Sequence, residues 1–175
     1  MCSIWNDLCE EAVNTQINVE YMASYQYHLM WTYFARSEVG LDNIAEYFKK
    51  AAAEEREHAE KLMAYQCMRG GKVVLTSLEP ASLDYLNNTE DNSNYIMLSF
   101  KKALTMEEEV YAALLKLHEV GDQCKDPQFS DFIEGEYLEE QVNAIHEIKK
   151  YIAQLKLIGN CGQGLWEFNR LFENE

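Results

Sequence analysis

A chain of 175 residues, 47% of them apolar, is long enough to bury a substantial core. Its formal charge of −15 excludes nucleic acid, whose phosphates need a basic face, while an acidic surface concentrates cations. Only eight glycines and two prolines interrupt it, strand-like alternation is missing, and no apolar run reaches the ~18 residues of a membrane span. The expectation is therefore an all-α fold in one domain, 1–175, with no membrane partner.

The opening, Met1 to Asp7, lacks the basic and apolar regions of a signal peptide, so a cytoplasmic chain is expected. Five cysteines without a C-x-x-C pair read as reduced thiols; Cys2 and Cys9 link subunits only if both reach the surface. Periodicity predicts a first helix over 8–35 and a second over 42–70, with Asp42 as N-cap and Gly70-Gly71 as the stop. About twenty residues follow, with Val73-Val74-Leu75 packed inside the crossing. At ~3.3 Å per residue they span a 28-residue helix of about 42 Å, so the second and third helices can run parallel through one long crossover. The third helix is predicted over 92–119, ended by Gly121, and the fourth over 127–157, opened by Asp126-Pro127. A glycine-rich hinge, 159–164, leads to a short amphipathic fifth helix over 165–172 that must dock to be stable.

Alternating steps of four and three pick out each inward seam. The second helix gives Ile44, Phe48, Ala51, Glu55, His58, Leu62 and Tyr65. The first gives Val13, Ile17, Glu20, Ser24, Tyr27, Trp31 and Phe34. The third gives Met97, Phe100, Leu104, Glu107, Tyr111 and Leu114, and the fourth Leu138, Gln141, Ile145, Ile148, Ile152 and Leu155. Each seam is polar near its middle. Glu20 and Glu55 fall about 22 and 20 Å from their shared turn, and Glu107 and Gln141 about 18 and 21 Å from theirs. A buried ion costs several kcal/mol unless compensated. Three carboxylates and one imidazole in one layer suit iron or manganese better than copper or structural zinc. Glu20, Glu55 and His58 can enclose one ion with Glu55 bridging; the second has Glu107, the bridge and Gln141. The second Glu-x-x-His of many di-iron bundles is absent, since Asn143 stands three before His146.

The runs Asn18-Val19-Glu20, Ala23 to Tyr27, Glu54 to Met63, Arg69-Gly70-Gly71, and Asp131 to Gln141 resemble the heavy, catalytically active type of ferritin subunit, over about residues 10 to 170. The resemblance implies a four-helix bundle with a fifth helix, assembled into a 24-subunit octahedral shell, alone or mixed with other subunits. It makes Glu20, Tyr27, Glu55, His58, Glu107 and Gln141 a ferroxidase centre. Two iron ions per subunit are oxidised there by dioxygen or hydrogen peroxide. It makes Glu54, Glu57 and Glu60 mineral-nucleating carboxylates, and Asp131 and Glu134 the lining of an iron inlet channel. The crossover is several residues longer than in animal heavy chains, and Gly135 interrupts the fourth helix. Two alternatives stay open at this point: a di-metal oxidase with an organic substrate, and a catalytically silent light-type shell subunit.

Overall fold

A computed structural model describes residues 5–87 and 94–173. Three long helices come first: α1 (Asp7–Phe34), α2 (Asp42–Met68) and α3 (Tyr95–Gln123). The fourth rod is composite: α4 (Pro127–Ile133), a π-helical turn (Glu134–Leu138), and α5 (Glu139–Ile158). α6 (Gly162–Arg170) closes the fold. No strand occurs among the described residues, and none of their helices is long and apolar enough to cross a membrane. The all-α bundle expectation holds.

Side-chain contacts set the directions. Ser24 Oγ donates to Ala52 O at 2.6 Å and Trp5 Nε1 to Gln66 at 3.1 Å, so α1 and α2 are antiparallel. Tyr33 meets Tyr95 ring to ring, which sets the start of α3 beside the end of α1. α2 and α3 are thus parallel, as the long crossover requires. Residues 72–82 of that crossover climb α1 in order. Asn14 Oδ1 accepts from Val74 N, Asn18 Nδ2 donates to Thr76, and Gln26 grips Ser82 at both backbone N–H and C=O. Three amides on one helix face replace the strand partner that an extended segment lacks.

The departures have local causes. Asp42 is the first residue of α2 rather than its cap; Leu41 holds the cap position and offers no acceptor. The donor Ile44 N–H instead finds Asn169 Oδ1 of α6 at 3.1 Å. Gly121 lies inside α3, not at its end. A Cβ there would sit 2.8 Å from Ser130 Oγ, so glycine lets α3 and α4 touch. Val74 and Leu75 are exposed, and only Val73 packs against the core. Met30, Ala52, Ala103 and Val110 are more deeply buried than the neighbouring seam choices Trp31, Ala51, Leu104 and Tyr111. The buried residues keep steps of three and four but take them in the other order at these positions, as in Ala103, Glu107, Val110, Leu114 and Leu117. The expected start of the third helix at 92 lies outside the described residues.

Asp126 begins the fourth rod as expected. Its side chain accepts from Phe129 N at 3.0 Å and pairs with Arg69, whose guanidinium stacks on Trp5, 4.5 Å from the ring centroid. The Arg69 hydrogen bond holds the Asp126 carboxyl below its ordinary value of 3.8. That stabilisation is complete above the ordinary value and is lost as pH falls through the depressed one. Asp126→Asn should therefore melt below the parent at pH 7, with the deficit shrinking as the pH drops under about 3.8; thermal melts across that range test it.

Candidate metal centre

All six residues singled out for the centre converge in the bundle. Glu20 is completely buried, and Tyr27, Glu55, Glu107 and Gln141 are nearly so; His58 is 9% exposed. One ligand atom each from Glu20, Glu55 and His58 lies within 4.8 Å of the other two. Glu55 Oε2 is 3.2 Å from His58 Nδ1. Glu107 forms the opposite wall: Tyr27 donates to its Oε1, and the Gln141 amide donates to its Oε2 and, at 3.1 Å, to its backbone carbonyl. Each of α1, α2, α3 and α5 supplies at least one group, at the level that the helical rise predicts.

The protein satisfies the Glu20 carboxyl only in part. Glu20 Oε1 accepts from Gln16 Nε2 at 2.7 Å, but Oε2 is buried with no hydrogen-bond partner. Burial first, and then the facing Glu55, pushes the Glu20 carboxyl well above its ordinary value. Burial and then Glu107 do the same to Glu55. Burial also raises Glu107, opposed by the Tyr27 and Gln141 hydrogen bonds. Carboxylates that repel one another in a dry layer hold protons until a positive charge replaces them.

Three contributors escaped the sequence reading. Gln16 sits one turn before Glu20 and could have been found from its i−4 position on the apolar face. Tyr137 is 2% exposed, donates from its hydroxyl to His58 O at 3.0 Å, and sets its ring 5.6 Å from the imidazole. Glu140 Oε1 lies 3.3 Å from His58 Nε2. Tyr137 lies four residues before Gln141 and was reachable by the same rule as Gln16, whereas the exposed Glu140 is picked out by no seam. A cleft of about 250 Å³ leads from Tyr27 and Glu107 past Ala51 and Ala144 to Glu54 and Glu147. Glu54 stands at its rim, raised by partial desolvation and then by Glu140. Glu57 and Glu60 are exposed on the same helix, the latter 3.5 Å from Arg56. Asp131 and Glu134 are exposed at the start of the fourth rod, with Glu134 Oε1 2.6 Å from His118 Nε2. Among the cysteines, Cys9 is wholly buried, and that burial, reinforced by the Cys124 thiol, pushes it up to about 12. It has no access to a surface disulfide, and Cys2 lies outside the described residues.

A bundle whose helices each turn a carboxylate, imidazole or amide toward one buried point has the architecture of the carboxylate-bearing helical bundles that hold metal. The ferritin-like domain profile matches residues 10–158, and the chain belongs to the ferritin family. It is 46% identical over 169 residues to ferritin-2, chloroplastic, of Zea mays, covering 97% of this chain and 66% of that one. It is 47% identical over 164 residues to the chloroplastic ferritin of Phaseolus vulgaris, covering 94% and 63%. With ferritin-4, chloroplastic, of Arabidopsis thaliana it shares 45% over 167 residues, covering 95% and 63%. The chain thus spans slightly under two thirds of the length of these relatives. Their chloroplastic names overturn the expectation of a cytoplasmic protein. That expectation rested on the first residues alone, which do not carry the evidence of location that the relatives do.

The raised carboxyls predict a pH response with a definite sign. Folding binds their protons more tightly than the unfolded chain does, so their contribution is greatest near and below the ordinary value of 4.5 and is lost as pH rises toward the raised values. The metal-free protein should melt at progressively lower temperature from pH 5 to about 8, and Glu20→Gln should flatten that slope. Calorimetry of the stripped protein and the variant measures both.

Proposed function

We propose that this protein oxidises Fe(II) at the bundle centre and stores the product as ferric oxide in a hollow protein shell, acting as a heavy-type ferritin subunit in the plastid. One observation carries the reading: the buried Glu20–Glu55–His58 cluster brings two carboxyls and an imidazole to one point, with a Glu20 oxygen left without a hydrogen-bond partner, an arrangement that suits a bound cation. Glu20, Glu55 and His58 hold the first ferrous ion. Glu107 and Gln141 hold the second, with Glu55 shared between the two. Iron here is substrate, delivered and then passed on. Two adjacent ferrous ions let one dioxygen or peroxide take an electron from each, and the surrounding carboxylates stabilise the higher charge that results. Tyr27 holds the Glu107 carboxylate in place by donating to it.

The unequal donor sets suit a metal that must leave, because the second position has one carboxylate of its own and a neutral amide. Glu54, at the rim of the cleft, and Glu57 and Glu60 beyond it are the proposed sites where mineral nucleates. Asp131 and Glu134, at i and i+3, are the proposed inlet, and a three-fold arrangement in a 24-subunit octahedral shell would turn them into rings of carboxylates that select cations. An organic substrate is disfavoured by the cleft beside the centre, whose lining carries Glu46, Glu54, Glu107, Glu147 and Lys50.

Two experiments test this reading. Glu55→Ala combined with His58→Ala should abolish rapid iron-dependent oxygen consumption while leaving the shell assembled; undiminished consumption by an intact double variant would overturn the centre. Asp131→Ala with Glu134→Ala should slow ferric product formation at low Fe(II) with equilibrium binding at the centre retained. If those residues only favour the helix N-terminus electrostatically, stopped-flow traces will match the parent and the melt will show a loss of ~1 kcal/mol.

A further inference from the structure

Two cysteines far apart in sequence meet at the end of the bundle away from α6. Cys9 lies in the first turn of α1, four residues after Trp5, and Cys124 caps the end of α3, two residues before Asp126. One bridge of side chains ties these neighbourhoods together. The Trp5 ring is 5.1 Å from that of Phe129 and carries the Arg69 guanidinium 4.5 Å from its centroid, and Arg69 pairs with Asp126. The left-handed backbone of Lys125 (φ 54°) turns the chain sharply after Cys124, which fixes that residue at the corner between α3 and α4. Cys9 is wholly buried in the core at this corner, and Cys124 packs against the same core with part of its surface open. The two thiols interact side chain to side chain, with Arg69 and Asp126 close enough to act on Cys9 as well. Cys67 and Cys161, by contrast, are exposed.

Paired thiols have a chemistry that single thiols lack. Peroxide oxidises an accessible thiol to a sulfenic acid, and a neighbouring thiol captures that species as a disulfide before it passes on to the irreversible sulfinic acid. Partial exposure of one sulfur and burial of the other divide these roles between Cys124 and Cys9. We propose that Cys9 and Cys124 form a reversible disulfide within one chain, which consumes one peroxide and fastens the first turn of α1 to the α3–α4 corner. In the first step the Cys124 sulfur attacks hydrogen peroxide and the O–O bond breaks. One hydroxyl stays on the sulfur, and the other leaves with the thiol proton as water. In the second step the Cys9 sulfur attacks the Cys124 sulfur, the S–S bond forms, the S–O bond breaks, and the departing hydroxide takes the Cys9 proton as a second water. The two thiols thereby supply the two electrons that reduce one peroxide, and a dithiol reductant reopens the bridge by exchange. The Cys9 thiol, pushed up to about 12 by burial and then by Cys124, stays protonated at rest and gives up its proton only in that displacement.

The test uses the whole protein freed of iron, so its outcome is independent of the ferroxidase reading. The protein is treated with a small molar excess of hydrogen peroxide, its remaining thiols are blocked with iodoacetamide, and a non-reducing digest is analysed by mass spectrometry. A peptide pair joining Cys9 to Cys124 should appear, two hydrogens lighter than its parts and separated again by dithiothreitol, while the chain stays monomeric on a non-reducing denaturing gel. The oxidised parent should also melt above the reduced one, since the bridge closes a long loop. Cys124→Ser, a change at a partly exposed position, should remove both the bridge and the rise in Tm and leave the Cys9 thiol intact. Cys9→Ser should leave a Cys124 sulfenic acid that dimedone traps. Cys124 driven to sulfinic acid beside an unmodified Cys9 overturns the proposal. So does a bridge from either residue to Cys67 or Cys161, a disulfide-linked dimer, or a parent in which both thiols survive the peroxide. The parent measurement needs no substitution, so a variant that fails to fold leaves the decision intact.

Discussion

Charge in the wrong dielectric governs this molecule. Three carboxylic acids sit in a layer enclosed by Tyr27, Phe48, Ala52, Met106 and Ile148, where the penalty for an unpaired ion is several kcal/mol. Ordinary packing would select against them. Their retention is intelligible only if the protein spends much of its time with positive charge there, or with protons in its place. Gln16, Tyr27 and Gln141 are donors placed where they neutralise part of that cost without filling the central space. The centre is thus partly satisfied, which holds the metal-free site in shape while keeping it receptive.

The scaffold confines this tension to one layer. Below it, Trp5, Tyr65, Phe129 and Phe132 stack around the Arg69–Asp126 pair at one end of the bundle. Above it, Phe34, Phe48, Phe100, Phe168 and Phe172 form an aromatic plug at the other. Dense aromatic cores at both ends hold the helices in place around a middle layer that is polar and slightly open. The cleft between α2 and α5 is the resulting opening, and it leads outward past acidic side chains on a surface that already carries an excess of negative charge.

The four rods and their directions were legible because periodicity and helix punctuation report them directly. So were Glu20, Glu55, His58, Glu107 and Gln141, each the polar exception on an apolar seam. What escaped detection has physical reasons. Tyr137 stands four residues before Gln141 on the same face, but a step of three selects Leu138 there, and Glu140 is exposed and so marks no seam; the winding change over 134–138 leaves no compositional trace when Gly135 can be read as a simple weak point. Asp42 resembled an N-cap because caps are judged from neighbours in sequence, whereas the acceptor for Ile44 comes from Asn169. The shift from Trp31 to Met30, and from Tyr111 to Val110, is a matter of the order in which steps of three and four alternate, which apolar neighbours on both sides leave open. Location lay beyond the reach of such reasoning altogether; the chloroplastic relatives corrected it.

The bond between Asn169 and Ile44 has a consequence in time. The two residues are 125 positions apart, so the helix that carries Glu55 and His58 lacks its first-turn acceptor until α6 has been made. At about 5–20 residues per second, a ribosome needs several seconds or more to cover that interval. Throughout it the Ile44 N–H has only water to bond. Closing this contact joins the last helix to the second in a single step, so a nascent or truncated chain lacking Asn169 is marked by a frayed end on the helix that matters most. The arrival of α6 and the rigidity of the ligand-bearing element are thereby coupled.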